Sequence, residues 1–389
     1  MRILILSFYY PPDIGPGALR AKSIVDSLIK EGPSDLKVDV ITTMPNRYQS
    51  LNVSALKFEE YSKVSISRIT IAKHKNGIFD QVKAFFFFSL NTQKLTFKKK
   101  WDIIIATSSR LMTASLAVYI AKQTKSKVYL DIRDLFIDTI EDVFKNKYMR
   151  IFLWFFYKLE KWTFQSAHLL NVVSPGFFES IKKVAPDVPI STFTNGVDEL
   201  FLKKIFLREQ VRTKPLILYA GNIGDGQGLH KILPKASNEL KDIQFRLIGD
   251  GSTLKLLINN DKFNQQNNIE VLKPMSRDKL LNEYQKADIL FLHLNDYKAF
   301  QKVLPSKIFE YASTGKPILA GVSGYAAKFL RENIKGIEIF SPCDVDFMKV
   351  ALRKLLNGPR VIERNDFCLQ YSRKKIMQNL AKDILSLSQ

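Results

Sequence analysis

Lys307 and Glu310 stand three residues apart in the stretch Val303 to Val322, VLPSKIFEYASTGKPILAGV. Pro305 and Ser306 mark a helix start there, with Ser306 a candidate N-cap. Ile308, Phe309 and Ala312 supply an apolar face, and Gly315 ends the helix before Pro317 opens the strand ILAGV. A helix N-terminus carries free backbone N–H groups and a partial positive charge, so it can hold a phosphate. A lysine in its first turn opposes the helix dipole, which favours cations at the other end. An anion at the tip removes that conflict, and Glu310 is then placed to accept hydrogen bonds from ribose hydroxyls. A surface cap with a solvated Lys–Glu pair is the alternative for the same residues.

Glycines recur where strands should end. Gly15-Pro16-Gly17 follows the first apolar run. Gly221, Asn222 and Gly224 follow LILYA, with Gly226 and Gly228 just beyond, and Gly249 and Gly251 follow FRLI. Such residues let backbone approach a ligand closely, though plain turns use them too. Asp131, Arg133 and Asp134 end the run VYLDIRD. An arginine between two carboxylates is either a buried ion pair or part of a charged site.

The elements that must carry these residues alternate between strand and helix along the chain. RILILSF, VDVITT, IIIAT (Ile103–Thr107), VYLDIRD and LLNVVS (Leu169–Ser174) make a first set of strands. A helix is expected from about Arg20 to Lys30 and another around Leu116–Ala121. A second alternation starts at LILYAG and runs through FRLIGDG, IEVLKP, DILFLHL and PILAGV. This is the α/β pattern of two Rossmann-like halves, with a boundary between Asn195 and Lys214, and ligands are then expected at the carboxyl ends of the strands. At 389 residues the chain fits two domains of ordinary size.

Charge adds a second theme. The chain has 59 Lys and Arg against 38 Asp and Glu, a formal +21, which implies affinity for phosphates. Two clusters combine basic and aromatic residues. One runs from Phe85 to Lys100. In the other, Asn146 to Phe164, Tyr148, Phe152, Phe155, Phe156, Leu159 and Trp162 recur near helical spacing, with Lys147, Arg150, Lys158 and Lys161 interleaved. They read either as interfacial membrane helices or as core helices with a basic edge. Cys343 and Cys368 show no metal or redox spacing. Without a signal peptide or an apolar run of about 18 residues, a cytoplasmic protein is expected.

The motifs YYPPDIGPGALRA, DIRDLFID, VVSPGFFESI, FTNGVDELF, YAGNIGDGQGL, RLIGDGS, ADILFLHL and LPSKIFEYASTGKPILAG, in this order, resemble the GT-B glycosyltransferases of retaining family 4. Within it, LPSKIFEY with GNIG and DIRD resembles the bacterial L-fucosamine (N-acetylfucosamine) transferases of O-antigen and capsule synthesis. The resemblance implies a GT-B fold, two Rossmann-like domains facing each other across a cleft. Residues 1–198 would bind the acceptor, 199–370 the nucleotide sugar, and a helix in 371–389 would return to the first domain. It further implies a UDP-sugar donor and a polyprenyl-diphosphate-linked acceptor at the inner face of the cytoplasmic membrane, with no cofactor and no nucleic-acid partner.

In the same terms Glu310 takes the ribose, Pro305, Ser306 and Lys307 occupy the loop whose amides meet the diphosphate, and Leu304 beside them is counted with the donor-binding residues. Gly15, Pro16 and Gly17 lie near the reacting centre, and Asp131, Arg133, Asp134 and Lys307 are the candidate catalytic groups. Two positions depart from the family pattern. Lys302 stands where a glutamate often contacts the donor sugar, and Asn222, Asp225 and Gln227 stand where an arginine and a lysine often contact the diphosphate. The positive charge on the diphosphate must then come from elsewhere, with Lys307 and Lys302 the candidates. With no carboxylate clearly placed as a nucleophile, front-face attack is expected; with no Asp-x-Asp in a glycine-rich loop, no obligatory metal is. A UDP-sugar 2-epimerase of the same fold, or a basic phosphate- or membrane-binding protein without turnover, remains the alternative.

Overall fold

Near-continuous apolar runs such as ILIL, IIIA and VYLDI suit strands buried on both faces of a parallel sheet. In the computed structural model, which describes residues 1–13, 15–46, 54–71, 78–108, 110–143, 149–202, 213–260 and 267–388, they lie at the centre of the first of two units. That unit comprises Met1–Asn195 with Lys374–Gln389. Its strands are β1 (Arg2–Leu6), β2 (Lys37–Thr43), β3 (Phe58–Glu60), β4 (Val64–Ile69), β5 (Ile103–Ser108), β6 (Lys127–Ile132), β7 (Leu169–Val172) and β8 (Ile190–Thr192). They form an eight-stranded sheet in the order β3-β4-β2-β1-β5-β6-β7-β8. Only the β3–β4 pairing is antiparallel.

The helices that bear on the candidate sites are α1 (Pro16–Glu31), α2 (Ile78–Thr96), α3 (Leu111–Thr124), α4 (Phe136–Val143) and α5 (Met149–Gln165). Helix α1 begins about four residues earlier than the sequence suggests. Pro16 occupies its first position, where a fixed φ is preset for the helix and the missing N–H costs nothing. Gly15 to Gly17 are therefore the tip of α1 and not a loop ahead of it. The last helix, Arg373–Leu385, buries Met377, Leu380, Ala381 and Ile384 in a cluster with Ile3, Ile24, Leu28 and Tyr129. The Tyr129 hydroxyl donates to Asp383 at 3.2 Å.

The second unit, Gly196–Arg373, holds a six-stranded sheet. Its strands are β9 (Leu216–Asn222), β10 (Gln244–Asp250), β11 (Ile269–Leu272), β12 (Ile289–His293), β13 (Ile318–Gly321) and β14 (Ile337–Phe340), all parallel, in the order β11-β10-β9-β12-β13-β14. This is the dinucleotide-binding order, whose direction of winding reverses between β9 and β12. A ligand is favoured at that point, outside the carboxyl ends of the strands. Two separate apolar clusters include residues of this sheet, one around Phe309, Tyr311 and Leu330, the other around Ile232, Phe245 and Met348. The chain's entry to and exit from the unit run side by side, with Val197 N–H on Tyr371 O at 2.7 Å and Arg373 N–H on Val197 O at 2.8 Å. Residues 203–212 of the expected boundary stretch lie outside the described residues.

Candidate functional site

In the second unit the Lys307–Ser313 helix supplies the charged groups. Tyr311 pins that helix to the sheet, its hydroxyl accepting the Ala220 N–H at 3.1 Å, and Ile308, Phe309 and Ala312 are buried beside it. Ser306 has helical backbone angles and makes no capping bond through its side chain, so the N-cap role expected of it is not realised. The turn is closed instead by Ile308 N–H on Pro305 O and Phe309 N–H on Ser306 O, at 3.1 and 3.2 Å.

The Lys307 side chain reaches β9. Its ammonium rests on the carboxyl end of β9, where a Cβ on Gly221 would collide with it, and lies 5.1 Å from the centre of the Tyr219 ring. Gly221 is needed here twice over, since its φ of 142° also excludes other residues. The Tyr219 hydroxyl donates to Asn222 O at 2.5 Å and fixes the strand end. Asn222 in turn donates to the Gln227 side chain at 2.7 Å, and the same oxygen receives the Gly224 N–H at 3.3 Å. One turn along the helix, half-buried Glu310 faces Tyr284. The Tyr284 hydroxyl lies 3.5 Å from the carboxylate, and burial first, then the Glu310 charge, hold that phenol well above its ordinary pKa. It therefore stays a proton donor to Glu310 across the working range.

Some residues expected to face a ligand have a structural role in the fold. A Cβ on Gly249 would strike the Gly221 carbonyl, and one on Gly251 would strike the Ile223 backbone. These two glycines allow neighbouring backbone to pack at the β9 and β10 ends. Leu304 is 2% exposed, packed in the core with Ile308 and Phe309, so its side chain is not offered to a ligand. Lys302 is half-buried at the end of the turn Lys298–Lys302. Phe300 from that turn covers Gly226, where a Cβ would come within 2.6 Å of the ring.

In the first unit Asp131 is fully buried. It accepts two bonds from Arg20 at 2.8 Å and one from Asn171 at 2.7 Å. Arg20 also donates to Phe193 O and Thr194 O, each at 2.8 Å. Burial alone would raise the carboxyl's pKa, but the Arg20 charge and bonds, then Arg133 and Asn171, bring it below the ordinary value. Asp131 is thus an internal tie between β6, β7 and α1, too enclosed to act on a substrate. Arg133 and Asp134 lie just past the end of β6, with Asp134 exposed. A guanidinium nitrogen of Arg133 sits against Gly17, 3.3 Å from where a Cβ would be. Arg133 and the α1 tip, buried Gly15 and exposed Pro16 included, are therefore neighbours. Among the described residues no cluster of three or more His, Cys, Asp or Glu is placed to hold a metal ion.

The aromatic and basic stretches divide between core and surface. On α2, Ala84, Phe88, Thr92 and Thr96 face inward at four-residue spacing, while Val82, Phe86, Phe87 and Leu90 are exposed. Phe97, Lys98, Lys99 and Lys100 follow, all exposed. On α5, Thr163 and Phe164 are buried and Phe156 meets Phe136, but Trp154, Phe155 and Tyr157 are exposed beside Lys158. Helix α3 packs against both α2 and α5, and its Tyr119 is exposed as well. Asn146, Lys147 and Tyr148, and the side chains of Arg150 and Phe152, lie outside the described residues. No described helix is long and apolar enough to cross a membrane.

Residues 203–375 match the family model described as glycosyl transferases group 1. The whole chain is similar in fold to the lipopolysaccharide outer core galactosyltransferase WaaB, with a TM-score of 0.62, 15% identity and 99% of both chains covered. It is similar to Anabaena Alr3699/HepE in complex with UDP and glucose, with a TM-score of 0.63, 12% identity, and 100% of this chain and 97% of that one covered. It is similar too to WaaG, a glycosyltransferase involved in lipopolysaccharide biosynthesis, at 0.63 and 13%, covering 99% and 97%. No curated protein matches the chain in sequence.

Proposed function

We propose that the chain is a retaining, family-4 type hexosyltransferase that moves a sugar from a UDP-linked donor to a polyprenyl-diphosphate-linked saccharide. N-acetylfucosamine is the proposed sugar and a bacterial surface polysaccharide the proposed product. The observation that carries this reading is Lys307 over Gly221, a fixed cation at the carboxyl end of β9 next to the winding reversal, with Glu310 one turn away on the same helix. It is supported by the family match over residues 203–375 and by the shared fold of HepE, whose structure holds UDP and glucose. In the proposed reaction Glu310 takes the ribose hydroxyls, and the Pro305–Lys307 turn with Gly221–Gly224 takes the diphosphate. The Lys307 ammonium stabilises negative charge as the diphosphate departs, a contribution that grows in a site closed to water. Arg133 beside Gly17 is the proposed charged group of the first unit.

The exposed rings of α2 and α5 support attachment to the membrane surface where such an acceptor resides, since rings enter the headgroup region and lysines meet anionic lipid. Release of nucleoside diphosphate from a panel of UDP-sugars, with and without lipid-linked acceptor, is the deciding assay. Acceptor-dependent release supports transfer; interconversion of free UDP-sugars would instead assign an epimerase. Within that assay Lys307→Met is expected to weaken UDP binding roughly tenfold or more, the scale of a charged hydrogen-bond partner, with uridine unaffected. Equal losses for both would reduce Lys307 to a support of the fold.

A further inference from the structure

His293 and Asn295 end and follow β12, on the opposite side of the winding reversal from Gly221. Three successive carbonyls of the Gly224–Gly228 turn are drawn onto these two residues. Asp225 O accepts from the Asn295 side-chain amide at 2.9 Å, Gly226 O from the Asn295 backbone N–H at 2.9 Å, and Gln227 O lies 2.6 Å from His293 Nδ1. The other ring nitrogen, Nε2, is 2.9 Å from the Cys343 backbone N–H, which can only donate. The proton is therefore on Nδ1, and the ring donates to Gln227. The imidazole is 1% exposed, packs beside the stacked rings of Phe291 and Phe340, and presses on Gly321 where a Cβ would overlap it. It cannot turn to another partner. Burial, then Lys231, keep it neutral, its pKa pushed down to about 4 although the Gln227 carbonyl acts the other way.

In a planar trans peptide the N–H points opposite to the C=O. Holding the Asp225 carbonyl toward Asn295 turns the Gly226 N–H away from β12. The N–H groups of Gln227 and Gly228 close the turn itself, on Gly224 O at 3.1 Å and Asp225 O at 3.0 Å. We infer that His293, together with Asn295, is a positioning residue that holds the Gly224–Gly228 turn in the shape on which binding of the donor diphosphate depends. This rests on the donor reading above and adds to it a specific holding group, which touches no substrate atom.

Three substitutions separate the two ring bonds. His293→Asn retains a donor at the place of Nδ1, His293→Gln retains an acceptor at the place of Nε2, and His293→Phe retains only volume. Two readouts are needed in the intact protein, amide hydrogen exchange of residues 224–228 without ligand and calorimetric binding of UDP and of uridine. Exchange should quicken and UDP should weaken, each roughly tenfold for one lost buried hydrogen bond, in the Gln and Phe variants. The Asn variant should stay close to wild type, and uridine binding should not change. Native-like exchange of the turn in His293→Gln, or UDP binding as tight as wild type, overturns the inference. A uniform loss of melting temperature with equal losses for UDP and uridine overturns it too, as that is plain destabilisation. If His293→Phe does not fold, Asn295→Asp, which replaces the donor to Asp225 O by a carboxylate oxygen while keeping an acceptor for Lys231, is held to the same two readouts. If wild type binds no UDP, the donor reading falls, and the exchange pattern alone decides whether His293 holds the turn.

Discussion

Glu310 shows how a single side chain can be prepared before any ligand arrives. Its carboxylate is half-buried with a buried phenol, Tyr284, as neighbour, so part of its ordering cost is met by the fold. Glu310→Ala is expected to cost roughly 2 to 4 kcal/mol of UDP binding, the scale for a charged hydrogen-bond partner. Unchanged affinity by calorimetry would leave it only the task of satisfying Tyr284. His293 gives a prediction of another kind. Its folded pKa of about 4 lies below the ordinary value of 6.5, so between these limits the unfolded chain binds the extra proton. Stability should therefore fall as pH drops from 6.5 toward 4, by on the order of 3 kcal/mol from this group, and no further below. Urea titrations of wild type and His293→Phe across that window should converge by about this amount at low pH. Parallel curves would mean that the ring is already charged, or already free to leave its pocket.

At the scale of elements, the Arg20–Asp131 pair ties α1 to β6 and, through Asn171 and the Phe193 and Thr194 carbonyls, to β7 and the segment after β8. Arg20→Met leaves a carboxylate buried without its partner and should cost about 3 to 5 kcal/mol in urea unfolding. Adding Asp131→Leu to it should recover a large part of that, since the pair as a whole is not required for burial. A loss below about 1 kcal/mol for Arg20→Met would show that water reaches Asp131, and the enclosed role given to it would fail. The sequence makes this pair hard to see because 111 residues separate its members. Arg133, two residues from Asp131, looks the nearer partner but turns toward Gly17. Legibility follows burial. The strands ILIL, IIIA, LILYA and ILFLH are continuous apolar runs and stand in the structure where their composition puts them. Missing from the sequence reading are β3, β8 and β14, short edge strands or their neighbours with half-exposed residues, and β4, whose polar Ser65, Ser67 and Arg68 mask its alternation. At the candidate site, Lys307 is legible because it opposes the helix dipole, Gly221 because it punctuates a strand, and Glu310 because it follows Lys307 by one turn. Tyr219, Tyr284, His293 and Asn295 are not, because their roles exist only through partners brought in by the sheet order.

For the molecule as a whole, the formal charge of +21 and the apolar surface of α2 and α5 act at different ranges. The net charge attracts any anionic surface within about a Debye length and is weakened by salt, whereas buried rings hold on once contact is made and are indifferent to salt. Lys98, Lys99, Lys100 and Lys158 are exposed beside Phe97 and Trp154, so both forces converge on the same elements. Each basic residue near an anionic surface contributes about 1 kcal/mol. Changing Lys98, Lys99, Lys100, Lys158 and Lys161 to Gln should therefore weaken co-sedimentation with anionic vesicles strongly at low salt. Changing Phe86, Trp154 and Phe155 to Ser should remove the part of the binding that survives high salt. A lysine variant that sediments like wild type would assign the attraction to charge spread over the whole chain. A serine variant that does so would make the exposed rings irrelevant to the bilayer, and the lipid-linked acceptor would lose its structural support.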